Sequence, residues 1–456
     1  MKDMTKGHPA SVIMMFAVPL MMGYIFQQLY NIADSKIVST YVGTGAFAAV
    51  GATSVVANVI IGFLSGLTQG FAIPIANSFG AKDYDRMRKN VAGTILLTVG
   101  SAIVLTVFSL VFIQDILLLL HTPADIMKPA QEYISIILAG IIFTALYNMC
   151  ANILRAVGDS KTPVYCLIVA VVINIGLDLW FVNGLGFGIQ GAAAATVIAQ
   201  AMSGGLCLYV ILKKFREILP DRNAWKPEGA LYGNLTTSGL SMGLMSCIVN
   251  SGTVVLQGAI NKLGTDIVTA HTAARRVFDI LTVMLYTIGL AMTTYSSQNI
   301  GAGKPERVRQ GVRQSILICT GITTVLIGVC FVFGRSILSW LATTDSENII
   351  SAAVMYSKIS ILFFYVLGPL FILRCTLQGM GRKIIPVCSS VLEMLVKILS
   401  AYLLVPAFAY VGVAFTEPIS WCVMTLLLGV AYLIRKPGYE RSTAQNQQMK
   451  AIVEEM

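Results

Sequence analysis

Residues 27 to 36 read QQLYNIADSK, inside a stretch that is otherwise apolar. Gln27, Asn31 and Asp34 stand at i, i+4 and i+7, so on a helix they share one face. Asn174 and Asp178 sit four residues apart in another apolar run, and Thr196 lies in the next one. A carboxylate near mid-membrane costs roughly 2.5–3.5 kcal/mol on insertion scales, so an intramembrane acid reads as functional until shown otherwise. Two acids, an amide oxygen and a hydroxyl form an oxygen-only set. That set suits a hard cation or a shared proton, rather than a soft metal. Two close carboxylates resist double ionisation, so Asp34 and Asp178 should titrate as one unit. The competing reading is that each acid only satisfies hydrogen bonds between helices.

The elements that carry these residues follow from composition. The chain has 456 residues, 56% hydrophobic and 12% charged, where soluble globular proteins have about 25% charged residues. Twelve apolar spans are expected, near 11–42, 46–79, 91–119, 128–156, 163–183, 189–212, 233–261, 267–299, 312–340, 349–378, 385–405 and 411–434. Backbone groups in lipid must be satisfied internally, and the period-two alternation of barrel strands is missing, so the spans are helices. The fold class is an all-α polytopic membrane protein.

Lysine and arginine set the orientation. Twenty-four of the 32 fall at the N-terminus, in or beside the loops after even-numbered spans, or at the C-terminus, while the opposite loops hold only Lys128, Lys262 and Arg335. The positive-inside rule then places both termini in the cytoplasm. With that orientation Asp34 lies ~12 Å, Asp178 ~8 Å and Thr196 ~10 Å from the outer ends of their spans. The net charge of +10 is mostly this topological signal; no basic domain is present for nucleic acid.

The longest hydrophilic connection, KKFREILPDRNAWKPEG (213–229), divides the spans six and six. It delimits an N-terminal bundle with the cation site (1–212), a cytoplasmic linker (213–231), a C-terminal bundle (232–436) and a cytoplasmic tail (437–456). The halves repeat. GAKDYDRMRKNV (80–91) returns as GAGKPERVRQGV (301–312) at an offset of 221. LRAVGDSKTPV (154–164) returns as LQGMGRKIIPV (377–387) at 223, and Gly43/Gly264 and Gly191/Gly412 return at 221. Six is an even number, so the repeats are parallel, with a pseudo-two-fold axis along the membrane normal. Such repeats favour alternating access around a cavity between two bundles.

The remaining polar residues divide by chemistry. Lys36 is about 200° around the helix from Asp34 and is expected to snorkel to the outer interface, as is Lys358. Glu393 and Lys397 should pair at i, i+4, and Asp279 should pair with Arg275 or Arg276. Glu417 aligns with Thr196 at the 221 offset and is expected to meet Lys397 or a substrate. With Gln27, Asn31, Asp279 and Arg276 it is a candidate for lining the cavity; structural pairing is the plainer reading of the charges. The 20 methionines could line an adaptable cavity, though packing is their commoner role. Pro19 and Pro74 should kink spans 1 and 2. The nine cysteines stand singly in apolar runs, so neither disulfides nor a metal site is expected. No HExxH, GxSxG or phosphate loop occurs, so neither enzyme chemistry nor a cofactor is expected.

Several segments together resemble the multidrug and toxic compound extrusion (MATE) family, in the style of its bacterial MepA-like branch. They are LYNIADSKIVSTYVG, RAVGDSKTP, NIGLDLWFVNGLGFGIQGAAAAT, GAGKPERVRQ and EPISW, and the match spans nearly the whole chain. The resemblance implies a bacterial cell-membrane antiporter, monomeric, exporting small organic and often cationic compounds in exchange for Na+ or H+. It implies that Asp34, Asn174, Asp178 and Thr196 form the cation site. Two departures stand out: Lys36 and Ser39 replace the usual apolar residue and glycine. Spans 7 and 10 also lack the acids that some members use as ion ligands in the second half. A lipid-precursor flippase of the same superfamily is the alternative. It would favour a cavity rich in Arg and Lys, and few basic residues sit mid-span in the first half.

The orientation has a direct test. Single cysteines at 85, 221 and 306, in a background without native cysteines, should react only with reagent on the cytoplasmic side. External labelling of any one would reverse or recount the spans.

Overall fold

The computed structural model describes residues 2–119, 122–342 and 346–434. Within helices, the side chains at 29, 31–33, 35, 36, 44, 47, 55, 119, 341 and 342 also fall outside the described set. The expectations for the Asn31 and Lys36 side chains and for the 437–456 tail therefore lie outside the described residues.

Fourteen α-helices follow one another among the described residues: α1 Pro9–Tyr41, α2 Thr44–Gly80, α3 Tyr84–Leu119, α4 Ala124–Ala139, α5 Ile141–Ala156, α6 Lys161–Asp178, α7 Gly188–Lys214, α8 Gly229–Asn261, α9 Thr265–Gly301, α10 Pro305–Ala342, α11 Glu347–Leu362, α12 Phe364–Gly379, α13 Ile384–Leu399 and α14 Val405–Ile434. Nine helical runs are each long and apolar enough to cross a bilayer. Two further crossings are bent pairs: α4–α5 turns by 44° and α11–α12 by 53°. Those bends break spans 4 and 10, which the apolar pattern reads as continuous. Hydropathy does not register a bend at Gly140, where a Cβ would sit 2.4 Å from Val197 Cγ2 of α7. The run Ile384–Ile434 counts once among the nine, but its 51 residues would be about 77 Å long as one helix. It breaks into two helices at a non-helical kink at Ala409 (φ 49, ψ −130); counted as two crossings, they bring the number among the described residues to twelve.

The chain forms two compact units. Among the described residues, the first holds 2, 16–79 and 83–250; the second holds 3–15, 80–82 and 251–434. In the first unit, one apolar core gathers Leu64, Leu117, Ile134, Leu138 and Ile141, and another gathers Ile75, Met87, Leu154, Cys207 and Ile218. The start of α8 packs in this unit. A Cβ on Gly66 or Gly70 of α2 would lie 2.6 Å or 2.3 Å from the carbonyls of Met242 or Ser238. Gly239 and Gly243 face back toward Phe71 and Phe63. This is a small-residue contact of the kind that lets membrane helices approach backbone to backbone. In the second unit the core includes Leu256, Ala270, Ala274, Tyr356, Val405 and Val413. The apolar stripes of α3 (Val104, Val111) and α10 (Val325, Val332) stay exposed, as lipid-facing surface should.

The internal repeat extends to the backbone. Gly43 and Gly264 both have positive φ, 108 and 99; so do Lys82 and Gly303, 59 and 70, both at the 221 offset. Gly158 and Gly381, at 223, have φ of 85 and 77. A π-helical turn at Leu179–Gly184 follows α6, and another at Ser400–Leu404 follows α13. Gly188 (φ 57) then opens α7, and its counterpart at the 221 offset is Ala409 (φ 49). Alanine thus stands where the first half uses glycine, in a region of φ that costs a side-chain-bearing residue of order 1–3 kcal/mol.

Two substitutions test this. Ala409→Gly should raise the thermal midpoint of the purified protein, by relief of about 1 kcal/mol, and Gly188→Ala should lower it. A fall in the midpoint for Ala409→Gly would mean that the turn is not strained. Gly70→Leu should prevent accumulation of folded protein, read by monodisperse elution, because backbone rather than a flexible side chain blocks the added atoms.

Candidate functional site: an acid pair in the first unit and a charge ladder in the second

In the first unit α6 buries one face, through Pro163, Cys166, Ala170, Asn174 and Asp178. Asp178 closes the α-helical part, and the π turn begins at the next residue. Single π turns inside helices recur at functional sites. Asp178 is 0% and Asn174 1% exposed. Opposite them, the first turns of α7 carry Gly191-Ala-Ala-Ala-Ala195, small residues that are nearly all buried and bring the helix close. Thr196 donates its hydroxyl hydrogen to the Ala192 carbonyl at 3.1 Å and meets the Tyr30 hydroxyl at 3.3 Å. Asp34, half-buried on α1, is the immediate electrostatic neighbour of Asp178. The structure thus brings Asp34, Asp178, Asn174 and Thr196 together from three helices. It adds Tyr30, and it adds Tyr133 of α4, whose phenol also feels both acids. Tyr30 was open to detection, four residues before Asp34 on the same face. Tyr133 had no such signal, because only tertiary packing brings α4 here. Gln27 is exposed on α1.

The hydrogen bonding of this cluster is incomplete. Oδ1 of Asp34, both oxygens of Asp178, and both Oδ1 and Nδ2 of Asn174 are buried without a hydrogen-bond partner. Native proteins leave few buried polar atoms unpaired, and each unpaired group typically costs about 1–3 kcal/mol. Five such atoms lie on these three residues, four of them acceptor oxygens and one the Asn174 amide nitrogen, so the acceptors outnumber the donor among the unpaired atoms. An oxygen-lined site short of positive charge can take a bare cation or a proton.

The second unit meets its buried acids differently. Asp279 Oδ1 accepts from Arg275 Nε at 2.9 Å, and Arg275 Nη1 also reaches Glu417 Oε1 at 3.5 Å. Lys397 Nζ contacts Glu417 Oε1 at 3.3 Å and Glu393 Oε1 at 3.0 Å, and Arg374 Nη2 contacts Glu393 Oε2 at 3.3 Å. The ladder alternates acid and base and is neutral when all six groups are charged. Both expected pairings, Glu393 with Lys397 and Arg275 with Asp279, are present, and Glu417 meets Lys397. Glu417 is 6% exposed and meets both Lys397 and Arg275 through Oε1. Arg276 is exposed and makes no ion pair among the described residues. Arg374 is the residue that sequence reasoning missed. It counts as a basic residue flanking a cytoplasmic loop, yet the structure buries it against Glu393 and Met424. Beside the ladder, Arg275 lies over the Phe278 ring, which stacks on Trp421, and His271 packs edge-on to Tyr356 and Tyr410. Lys358 sits over Phe331 of α10.

Comparison with known proteins agrees with this double architecture. The MatE family model matches the chain twice, at residues 19–180 and 242–403. The chain is 29% identical to the Probable multidrug resistance protein YoeA of Bacillus subtilis, over 83% of this chain and 82% of that protein. It is 21% identical to the Multidrug export protein MepA of Staphylococcus aureus, over 93% of each. Among solved structures, a crystal structure of MATE in the bent conformation superposes with a TM-score of 0.89 at 22% identity, covering 97% of this chain and 98% of that one. With two matches that together span most of its length, the chain belongs to the MatE family, the multidrug and toxic compound extrusion transporters.

Proposed function

We propose that this protein exports small organic compounds across the cell membrane by alternating access, in exchange for Na+ or H+ held at Asp34, Asn174, Asp178 and Thr196. Both termini lie in the cytoplasm, and the monomer is the working unit. The observation that carries the reading is the set of buried, unpartnered oxygens on Asp34, Asn174 and Asp178.

The chemistry follows from charge. Two neighbouring carboxylates in a low-dielectric place repel each other. A proton shared between Asp34 and Asp178, or a sodium ion bound by both with the Asn174 carbonyl and Thr196 hydroxyl, removes that repulsion. The loaded and empty sites therefore differ in how tightly α1 is held to α6 and α7. An ion shifts an equilibrium between two conformations only by its differential affinity for them. Loading from outside favours the conformation that releases substrate outward, and ion release to the cytoplasm resets the cycle.

Proteoliposomes supply the test. Movement of a fluorescent organic solute is followed under a sodium gradient alone and then under a proton gradient alone. One of the two should drive uphill movement. Asp34→Asn keeps the shape and removes charge and titration; it should insert normally and lose gradient-driven transport. Asp178→Asn should behave alike. Thr196→Ala should slow transport only roughly twofold to tenfold, the worth of one hydrogen bond. Full uphill transport by Asp34→Asn would make that acid structural.

A further inference from the structure

The second lobe contains a counterpart of the ion site in the same place of the repeat, built from different residues. The buried faces of α6 and α13 run in register at an offset of 223: Pro163 with Pro386, Cys166 with Ser389, Ala170 with Glu393 and Asn174 with Lys397. At the 221 offset Thr196 corresponds to Glu417, Asn31 to Gly252 and Asp34 to Val255. Glu393 and Glu417 thus supply the second lobe's two acids, and a lysine stands where the first lobe has an amide.

We propose that the Lys397 ammonium is a tethered cation, filling in the second lobe the place that an exchangeable ion takes in the first. Its surroundings are those of a bound monovalent cation. Nζ has three hydrogens and three oxygen neighbours: Glu393 Oε1 at 3.0 Å, Thr253 Oγ1 at 3.2 Å and Glu417 Oε1 at 3.3 Å. Lys397 is 2% exposed, so water does not share this shell freely. The arm has a built entry. A Cβ on Gly252 would lie 3.2 Å from Lys397 Cδ and 3.2 Å from Met394 Cα, so the missing side chain leaves the lysine stem its path. The acids of this lobe are neutralised by the protein itself, which confines the exchangeable ion to the first lobe. That the first lobe's ion exchanges rests on the function proposed above; the pocket for a small cation does not.

The test removes the tether and offers a free cation. Thermal unfolding of purified Lys397→Ala is followed in methylammonium chloride and in choline chloride at equal ionic strength, beside the wild type and Lys397→Ala/Glu417→Gln. Methylammonium should raise the Lys397→Ala midpoint by about 2 °C or more over choline. It should leave the wild type unchanged and act more weakly on the double variant, which has one acid fewer. No selective rise in Lys397→Ala, or an equal rise in all three proteins, overturns the proposal and leaves Lys397 a salt-bridge partner only. A second measurement does not need the lysine variant to fold. Asp34→Asn protein should bind no radioactive sodium saturably, and saturable binding that Glu417→Gln then removes would show an open ion site in the second lobe. Loss of transport with an intact methylammonium effect, or the reverse, separates failure of this proposal from failure of the coupling mechanism.

Discussion

A carboxylate removed from water has to find positive charge, a proton or hydrogen-bond donors, and bilayer depth is where that requirement is most severe. The two halves of this chain answer it in opposite ways. Among the described residues of the second half each buried acid touches a base: Glu393 is held by Arg374 and Lys397, and Glu417 by Lys397 and Arg275. In the first half Asp34 and Asp178 face each other, and the nearby polar groups are a hydroxyl, an amide and two phenols. A buried ion pair adds little net stability, because desolvation offsets its attraction, but breaking it is costly. The ladder thus reads as a fixed structure. The acid pair, short of partners, reads as a place where charge comes and goes.

The helices around these sites are shaped to deliver them. Asp178 ends an α-helix where the winding widens to a π turn, and the second half repeats that turn from Ser400, directly after the helix that carries Glu393 and Lys397. After each π turn the chain needs a backbone reversal with positive φ, supplied by Gly188 in one half and Ala409 in the other. Gly191 and Gly412 follow three residues later. A Cβ on Gly412 would lie 2.3 Å from the Leu404 carbonyl, and one on Gly191 would lie 3.1 Å from Phe181 Cβ, so each glycine lets the next helix start against the turn. That packing sets the level of Thr196 against Asp178 and of Glu417 against Lys397. The same backbone device, duplicated, positions an unpaired site once and a paired one the second time.

Much of this was legible in the sequence because it rests on local chemistry. Apolar length and loop charge are properties of segments, so twelve crossings and a two-fold repeat could be read from them. The polar face of span 1 and the Asn174–Asp178 spacing are helical periodicity, and Glu393–Lys397 is an i, i+4 pair. Tertiary structure alone decided the rest. The bends at Gly140 and Phe363 leave no mark in hydropathy, since both halves of each bent span remain apolar. Arg374 looked like a loop-flanking base until its helix was packed against α13 and α14. Tyr133 joins the acid pair only because α4 packs on α7. Periodicity fixes which residues share a face; which faces meet, and whether a buried charge meets a partner there, depends on contacts between helices far apart in the chain.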